Sequence, residues 1–122
     1  MILINKVIYD KDAREADVEL ISNDVSVLCY CHPVENIDKI YDSVHNHLIA
    51  FQVNDIVLDR IPVSRAKKTS DGYYSYFLTG KVISNTKIQV NDLTIDIGMI
   101  PKDVKIGEYV SCNCLRLDII IR

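Results

Sequence analysis

A chain of 122 residues with 48% hydrophobic and 25% charged content is long enough to bury its own core and reads as one soluble domain, 1–122. Its formal charge of -3 is no general polyanion binder's balance. No apolar run approaches the roughly 20 residues of a membrane span, and Met1–Asn5 is too short for a secretory signal, so the four cysteines are expected as reduced thiols in the cytoplasm.

Strand formers dominate, with Ile, Val and Tyr abundant, which favours an all-β class. Ile2–Tyr9 reads as a first strand and Asp10–Arg14 as a charged turn. Glu15–Ser22 and Val25–Cys31 then alternate around Asn23-Asp24. A two-residue type I′ turn there pairs Leu20 with Val27, Val18 with Cys29 and Ala16 with Cys31 on one apolar face. Behind Pro33, Val34, Ile37, Ile40 and Val44 recur at helical spacing, so 34–45 reads as a short amphipathic helix, with extended chain as the competing reading. Asn54-Asp55 sits between Phe51/Val53 and Ile56/Leu58 as a further hairpin of the same kind.

Arg60–Gly72 is polar and reads as a linker, 61–72, between halves 1–60 and 73–122. Tyr73–Ser84 reads as one long strand interrupted by Gly80, a residue that marks a bulge or a barrel bend. The hairpin Lys87–Ile97 turns at Asn91-Asp92, setting Val90 against Leu93 and Ile88 against Ile95. In the last strand Val110, Cys112 and Cys114 share one face while Leu115, Leu117, Ile119 and Ile121 share the other. A bulge or a transfer between sheets near Cys114–Leu115 reconciles the two.

The first and last hairpins superpose at a shift of 68: Leu20 falls on Ile88, Asn23 on Asn91, Cys29 on Ile97 and Pro33 on Pro101. This has the form of an internal duplication of two β-rich halves. Coiled strands with a glycine kink and a bulge point to small antiparallel barrels, OB-like or SH3-like.

Cys29-Tyr-Cys31-His32 and Cys112-Asn-Cys114 invite a zinc reading. Strand neighbours two apart lie roughly 6–7 Å from each other, whereas two thiolates on one zinc converge to about 3.8 Å. Buried core thiols are the better account, with no metal and no cofactor. His45-Asn46-His47 is contiguous, as the residues of a nuclease motif are not. No zinc-protease helix, phosphate loop or nucleophile elbow occurs, which points away from an enzyme.

If Val18 and Leu20 face the core, Glu15, Asp17 and Glu19 project outward behind Asp10 and Asp12. Such an acidic stripe suits a basic protein partner; the plain alternative is a solvated outer face. Arg60, Arg65, Lys67 and Lys68, followed at once by Tyr73, Tyr74 and Tyr76, form the opposing feature, a basic loop beside aromatics as in OB-like single-strand binders.

From Pro101 to Asp118 the chain reads PKDVKIGEYVSCNCLRLD. Here it resembles a group of short bacterial proteins that carry a proline–Asp–Val/Ile–Gly turn followed by an Arg-Leu-Asp strand. Cys31-His32-Pro33 and His47–Phe51 look similar to their first half, although Asp38 stands where the second half has Gly107. The resemblance implies no catalytic residues. By analogy it implies an immunity partner of a bacterial toxin, binding by direct contact through Asp10, Asp12, Glu15, Asp17 and Glu19. Two alternatives stand beside it: a single-strand nucleic-acid module using Arg65, Lys67, Lys68 and Tyr73, and a subunit of a larger assembly joined through a β edge.

Overall fold

The computed structural model describes residues 1–43 and 48–121. Among them the chain is all-β apart from one short helix. The elements are β1 (Ile2–Asp10), β2 (Glu15–Ser22), β3 (Val25–Cys31), α1 (Asp38–Ser43), β4 (Leu48–Phe51) and β5 (Asn54–Asp59). Then follow β6 (Arg65–Lys68), β7 (Tyr76–Val82), β8 (Lys87–Val90), β9 (Leu93–Asp96), β10 (Tyr109–Cys114) and β11 (Arg116–Ile119).

Both outer hairpins form in the expected register. Leu20 faces Val27, Val18 faces Cys29 and Ala16 faces Cys31; Val90 faces Leu93 and Ile88 faces Ile95. The alternating pattern drives this, because each inward side chain along β2 and along β8–β9 is buried. Burying such a residue contributes roughly 1.5–3 kcal/mol. The turns differ from type I′ in one respect: φ is positive at Asn23 and Asn91 but not at the following aspartates. The two turns also touch. Asn91 Nδ2 donates to Ser22 O at 2.9 Å, and the Asp92 amide donates to Ser22 Oγ at 3.0 Å.

The strands hydrogen-bond in the order β1-β2-β3-β11-β4-β9-β8-β7-β10-β5, with β6 joined to β7 off that path. Two pairings, β11 with β3 and β4 with β9, are parallel. The end strands β1 and β5 do not meet, so the sheet is mixed and open. The expectation of small OB-like or SH3-like antiparallel barrels is met in its β class alone, since a barrel needs every strand paired on both edges. Strands of the two proposed halves interleave: β11 lies between β3 and β4, and β10 between β7 and β5. One core cluster collects side chains from both.

Several local expectations are corrected. Asn54-Asp55 is no hairpin, because β4 pairs with β11 and β9 while β5 pairs with β10. Positive φ at Gln52 and Asp55 turns the chain away between them. The 61–72 linker contains β6, which pairs with β7 from Arg65–Thr79 to Lys68–Tyr76. The strand expected from Tyr73 starts only at Tyr76. Before it, Ser75 Oγ accepts from the Gly72 amide at 2.8 Å, and Ser75 O accepts from the Thr69 amide at 3.1 Å, which folds Tyr73 and Tyr74 into a turn. Gly80 sits in unbroken register with β10 rather than at a bulge. A Cβ there would come within 2.9 Å of Gln89 O and of Val90 Cγ2, so close approach of β8 explains the glycine.

Near Cys114–Leu115 the chain changes partners within the one sheet and does not transfer between two sheets. β10 ends at Cys114 between β5 and β7, Leu115 is exposed, and β11 continues between β3 and β4. Helix α1 covers part of the 34–45 stretch, with Val34 and Ile40 buried as the spacing required. Asn36 Oδ1 caps it by accepting from the Asp38 amide at 2.9 Å. Residues 44–47, which include His45-Asn46-His47, lie outside the described residues.

Candidate protein interface on the outer face of the sheet

The outer face of β2, β3, β11 and β4 gathers the charged and aromatic residues that the core excludes. Registers place Asp17 opposite Tyr30, Tyr30 beside Asp118, Asp118 opposite Ile49, and Arg116 opposite Phe51. Directly opposed residues share a face. The alternation that buries Val18 and Leu20 therefore turns Glu15, Asp17 and Glu19 outward together, as the sequence implied.

Each of these carboxylates is held by a neighbour. Tyr30 Oη donates to Glu15 Oε2 at 2.7 Å, Tyr74 Oη donates to Asp17 Oδ1 at 2.5 Å, and Asn5 Nδ2 donates to Glu19. The hydrogen bond to Glu15, with burial behind it, pushes the Tyr30 hydroxyl pKa up. Burial first, then the bond to Asp17, raises that of Tyr74. Both phenols stay neutral donors, which keeps the carboxylates oriented.

Arg116 lies between two rings, its guanidinium carbon 4.8 Å from the Tyr30 centroid and 4.7 Å from that of Phe51. It donates twice to Asp118, at 2.6 and 3.0 Å, and that pairing raises its pKa further. The aromatic layer continues through His32, stacked 6.3 Å from Tyr30, and Tyr74, edge-on at 5.6 Å. Tyr73 stands perpendicular to Tyr74 at 4.8 Å and is 65% exposed, leaving a face open to solvent.

With Asp10 opposite Glu15 and Lys6 opposite Glu19, this face carries, among the described residues, the five carboxylates Asp10, Glu15, Asp17, Glu19 and Asp118 against Lys6 and Arg116. Asp10 also stabilises the β1–β2 turn, its Oδ1 accepting from the Asp12 and Ala13 amides at 3.0 and 3.1 Å. Asp12 is exposed in that turn. The structure thus brings Glu15, Asp17 and Glu19 into one array and sets Asp10 and Asp12 at its end. Sequence reasoning missed Tyr30, His32, Phe51, Arg116 and Asp118, and grouped Tyr74 with the basic loop instead of with Asp17. The period-2 pattern of β3 and the Arg116-Leu117-Asp118 alternation were the available signal.

The basic residues are not gathered in the same way. Arg65 Nη2 pairs with Asp59 Oδ2 at 2.7 Å. Lys68 Nζ donates to Thr69 O at 2.8 Å and to Gly72 O, bracing the turn below Tyr73. Lys67 and Lys68 are adjacent in a strand and so point to opposite faces. Tyr73 stands edge-on to Tyr74, whose hydroxyl holds Asp17.

The four thiols are buried and free. Burial pushes Cys31 and Cys114 up to about 11 and Cys112 to about 12, and Cys29 further still, so all four rest as protonated thiols near neutral pH. Among the described residues no three of the His, Cys, Asp and Glu side chains converge as metal ligands do. No described helix is long and apolar enough to cross a membrane. An open cleft of about 240 Å³ between Val82, Met99, Ile100 and Val104 has Lys102 as its one charged lining residue. No family model, curated protein or solved structure matches the chain.

Proposed function

We propose that this protein is a non-enzymatic binding module that engages a basic protein partner through the outer face of β2, β3, β11 and β4. Within that class, an immunity protein acting in the cytoplasm against a bacterial toxin is the best reading. It neutralises by occlusion: Glu15, Asp17 and Glu19, extended by Asp10 and Asp12, take the place of anionic substrate over a cationic cleft. The observation that supports this is the coincidence of fixed carboxylates with exposed aromatic surface, at Phe51 on the same sheet face and at Tyr73 in the turn that Tyr74 ties to it. Interface centres favour tyrosine and arginine, while charge complementarity mainly sets on-rate and selectivity.

Association kinetics test it. The on-rate for the basic partner falls as salt rises, and Asp17→Lys with Glu19→Lys lowers it by about tenfold or more. An affinity unchanged by that double reversal removes the face from the account. The single-strand nucleic-acid alternative has less support, because Arg65 and Lys68 are held within the fold. Anisotropy with a labelled oligonucleotide decides it. Binding that weakens in Lys67→Ala plus Lys68→Ala, with a smaller salt slope, reinstates that alternative.

A further inference from the structure

The sheet has two ends, and they are not equivalent. Among the described residues, β1 pairs only with β2 and β5 only with β10, so each of these end strands offers a free backbone edge; β6, off the strand path, pairs only with β7 but is four residues long. Long unprotected edges recruit another strand. The two edges differ in what they could recruit.

A two-fold axis normal to an antiparallel pair requires one residue to face its own copy, because neighbouring pairs alternate in hydrogen bonding. The charged residues of β5 are Asp55 and Asp59, with no cation between them; a register centred on Val57 sets Asp55 against Asp59 of the second copy. β1 differs. Its bulge lies between Ile4 and Lys6, which leaves Lys6–Asp10 in regular register with β2. Centring this segment on Ile8 sets Lys6 against Asp10 of the second copy, twice, and Val7 against Tyr9. Centring on Val7 or Tyr9 pairs Lys6 or Asp10 with Ile8, and centring on Lys6 or Asp10 opposes like charges. One register alone is complementary.

The surroundings favour the same register. Asp10 directly faces Glu15 across β1–β2, a like-charge pair. The Lys6 side chain of the second copy would lie on the other side of Asp10 and offset that repulsion. Ile8, 53% exposed, would meet its own copy on the axis, and the half-buried Val7 and Tyr9 would be covered further.

We infer that the β1 edge is a self-association surface, on which a second copy of this chain adds its own β1 antiparallel with Ile8 on the two-fold axis. The result is a continuous sheet in which both acidic faces lie on the same side. This inference does not depend on the proposed function.

Sedimentation velocity across a concentration series tests it, using wild type, Lys6→Glu, Asp10→Lys, and an equimolar mixture of the two variants. Wild type dimerises. Each variant alone opposes like charges twice and self-associates at least about tenfold more weakly. The mixture recovers dimer, because the introduced glutamate of one variant then meets the introduced lysine of the other, while the unaltered Lys6 and Asp10 form the second pair. If loss of its turn contacts unfolds Asp10→Lys, Ile8→Glu replaces it: it keeps those contacts, sets a carboxylate against its own copy, and abolishes the dimer. Three results overturn the inference: wild type monomeric up to about 1 mM, a dimer indifferent to Lys6→Glu or Ile8→Glu, or two folded variants whose mixture associates no better than either alone.

Discussion

Tyr74 Oη donates to Asp17 Oδ1 across 57 residues of chain at 2.5 Å, and this bond ties the β6–β7 turn to the acidic outer face of β2. It gives the carboxylate a fixed direction and parks Tyr73 beside it. Tyr74→Phe keeps the ring packing and removes the donor. A hydrogen bond to a charged group is worth about 1.5–3 kcal/mol at most; with Asp17 half-buried and open to water, the expected loss is about 1 kcal/mol in urea unfolding. The same variant should bind the partner more weakly, mainly through faster dissociation.

The two Asn-Asp turns act on each other as well as on their own strands. Asn91 Nδ2 bridges to Ser22 O at 2.9 Å and Asp24 Oδ1 at 3.2 Å while its backbone holds φ at 50°. Asn91→Ala loses both the bridge and an easily tolerated left-handed residue; Asn91→Gly loses only the bridge. Alanine is expected to cost about 1–2 kcal/mol and glycine less. Equal losses would mean that backbone conformation contributes nothing at this turn.

At Gly80, β8 packs close against β7. Gly80→Ala forces its Cβ against Gln89 O and Val90 Cγ2, neither the far end of a flexible chain. Overpacking of this kind costs about 1–3 kcal/mol. Chemical denaturation of the variant measures it, and an unchanged midpoint would contradict the close packing.

Acid and alkali should destabilise the fold through different groups. Ser111 Oγ at 2.6 Å, the Ile61 amide at 2.9 Å and Arg65 hold the Asp59 carboxyl below its usual range. A lowered folded value contributes stability that is present above the unfolded pKa of about 3.9 and is lost as pH falls through the folded one. Asp59→Asn therefore flattens the stability profile below about pH 4. Tyr30, Tyr74 and the thiols are raised instead, so their contribution is complete below the unfolded values, about 8.5 for Cys and 10 for Tyr, and is lost as pH rises through the folded ones. At about pH 8, thiol reagents should modify the four cysteines only as fast as the protein opens. Rapid labelling of the native protein would contradict their burial.

What the sequence disclosed was local, and what it concealed was the pairing of strands far apart. Alternation around Asn23 and Asn91 fixed two hairpins to the residue, because a slip by one would expose Val18, Leu20 and Ile88. The same logic failed at Asn54-Asp55, where the pattern was identical but β10 and β11 outcompeted the local partner. Nothing local distinguishes a strand that folds back from one that joins a neighbour from the other end of the chain. The site divides likewise. Outward projection of Glu15, Asp17 and Glu19 was legible from period 2, whereas Arg116 and Phe51 reach them only through β11's position between β3 and β4, and Tyr74 only through its turn. The basic stretch likewise hid its partners: Arg65 and Lys68 look free in sequence, and the fold pairs them with Asp59 and with loop carbonyls.

The most direct test of the central claim is affinity capture with tagged wild type and with Asp17→Lys plus Glu19→Lys, each from nuclease-treated and untreated source lysate. The acidic-face account predicts a basic protein captured at one-to-one stoichiometry by wild type, retained after nuclease, and lost with the charge-reversed variant, whose fold is checked by thermal unfolding. The same proteins captured by both, or capture that disappears with nuclease, would contradict it.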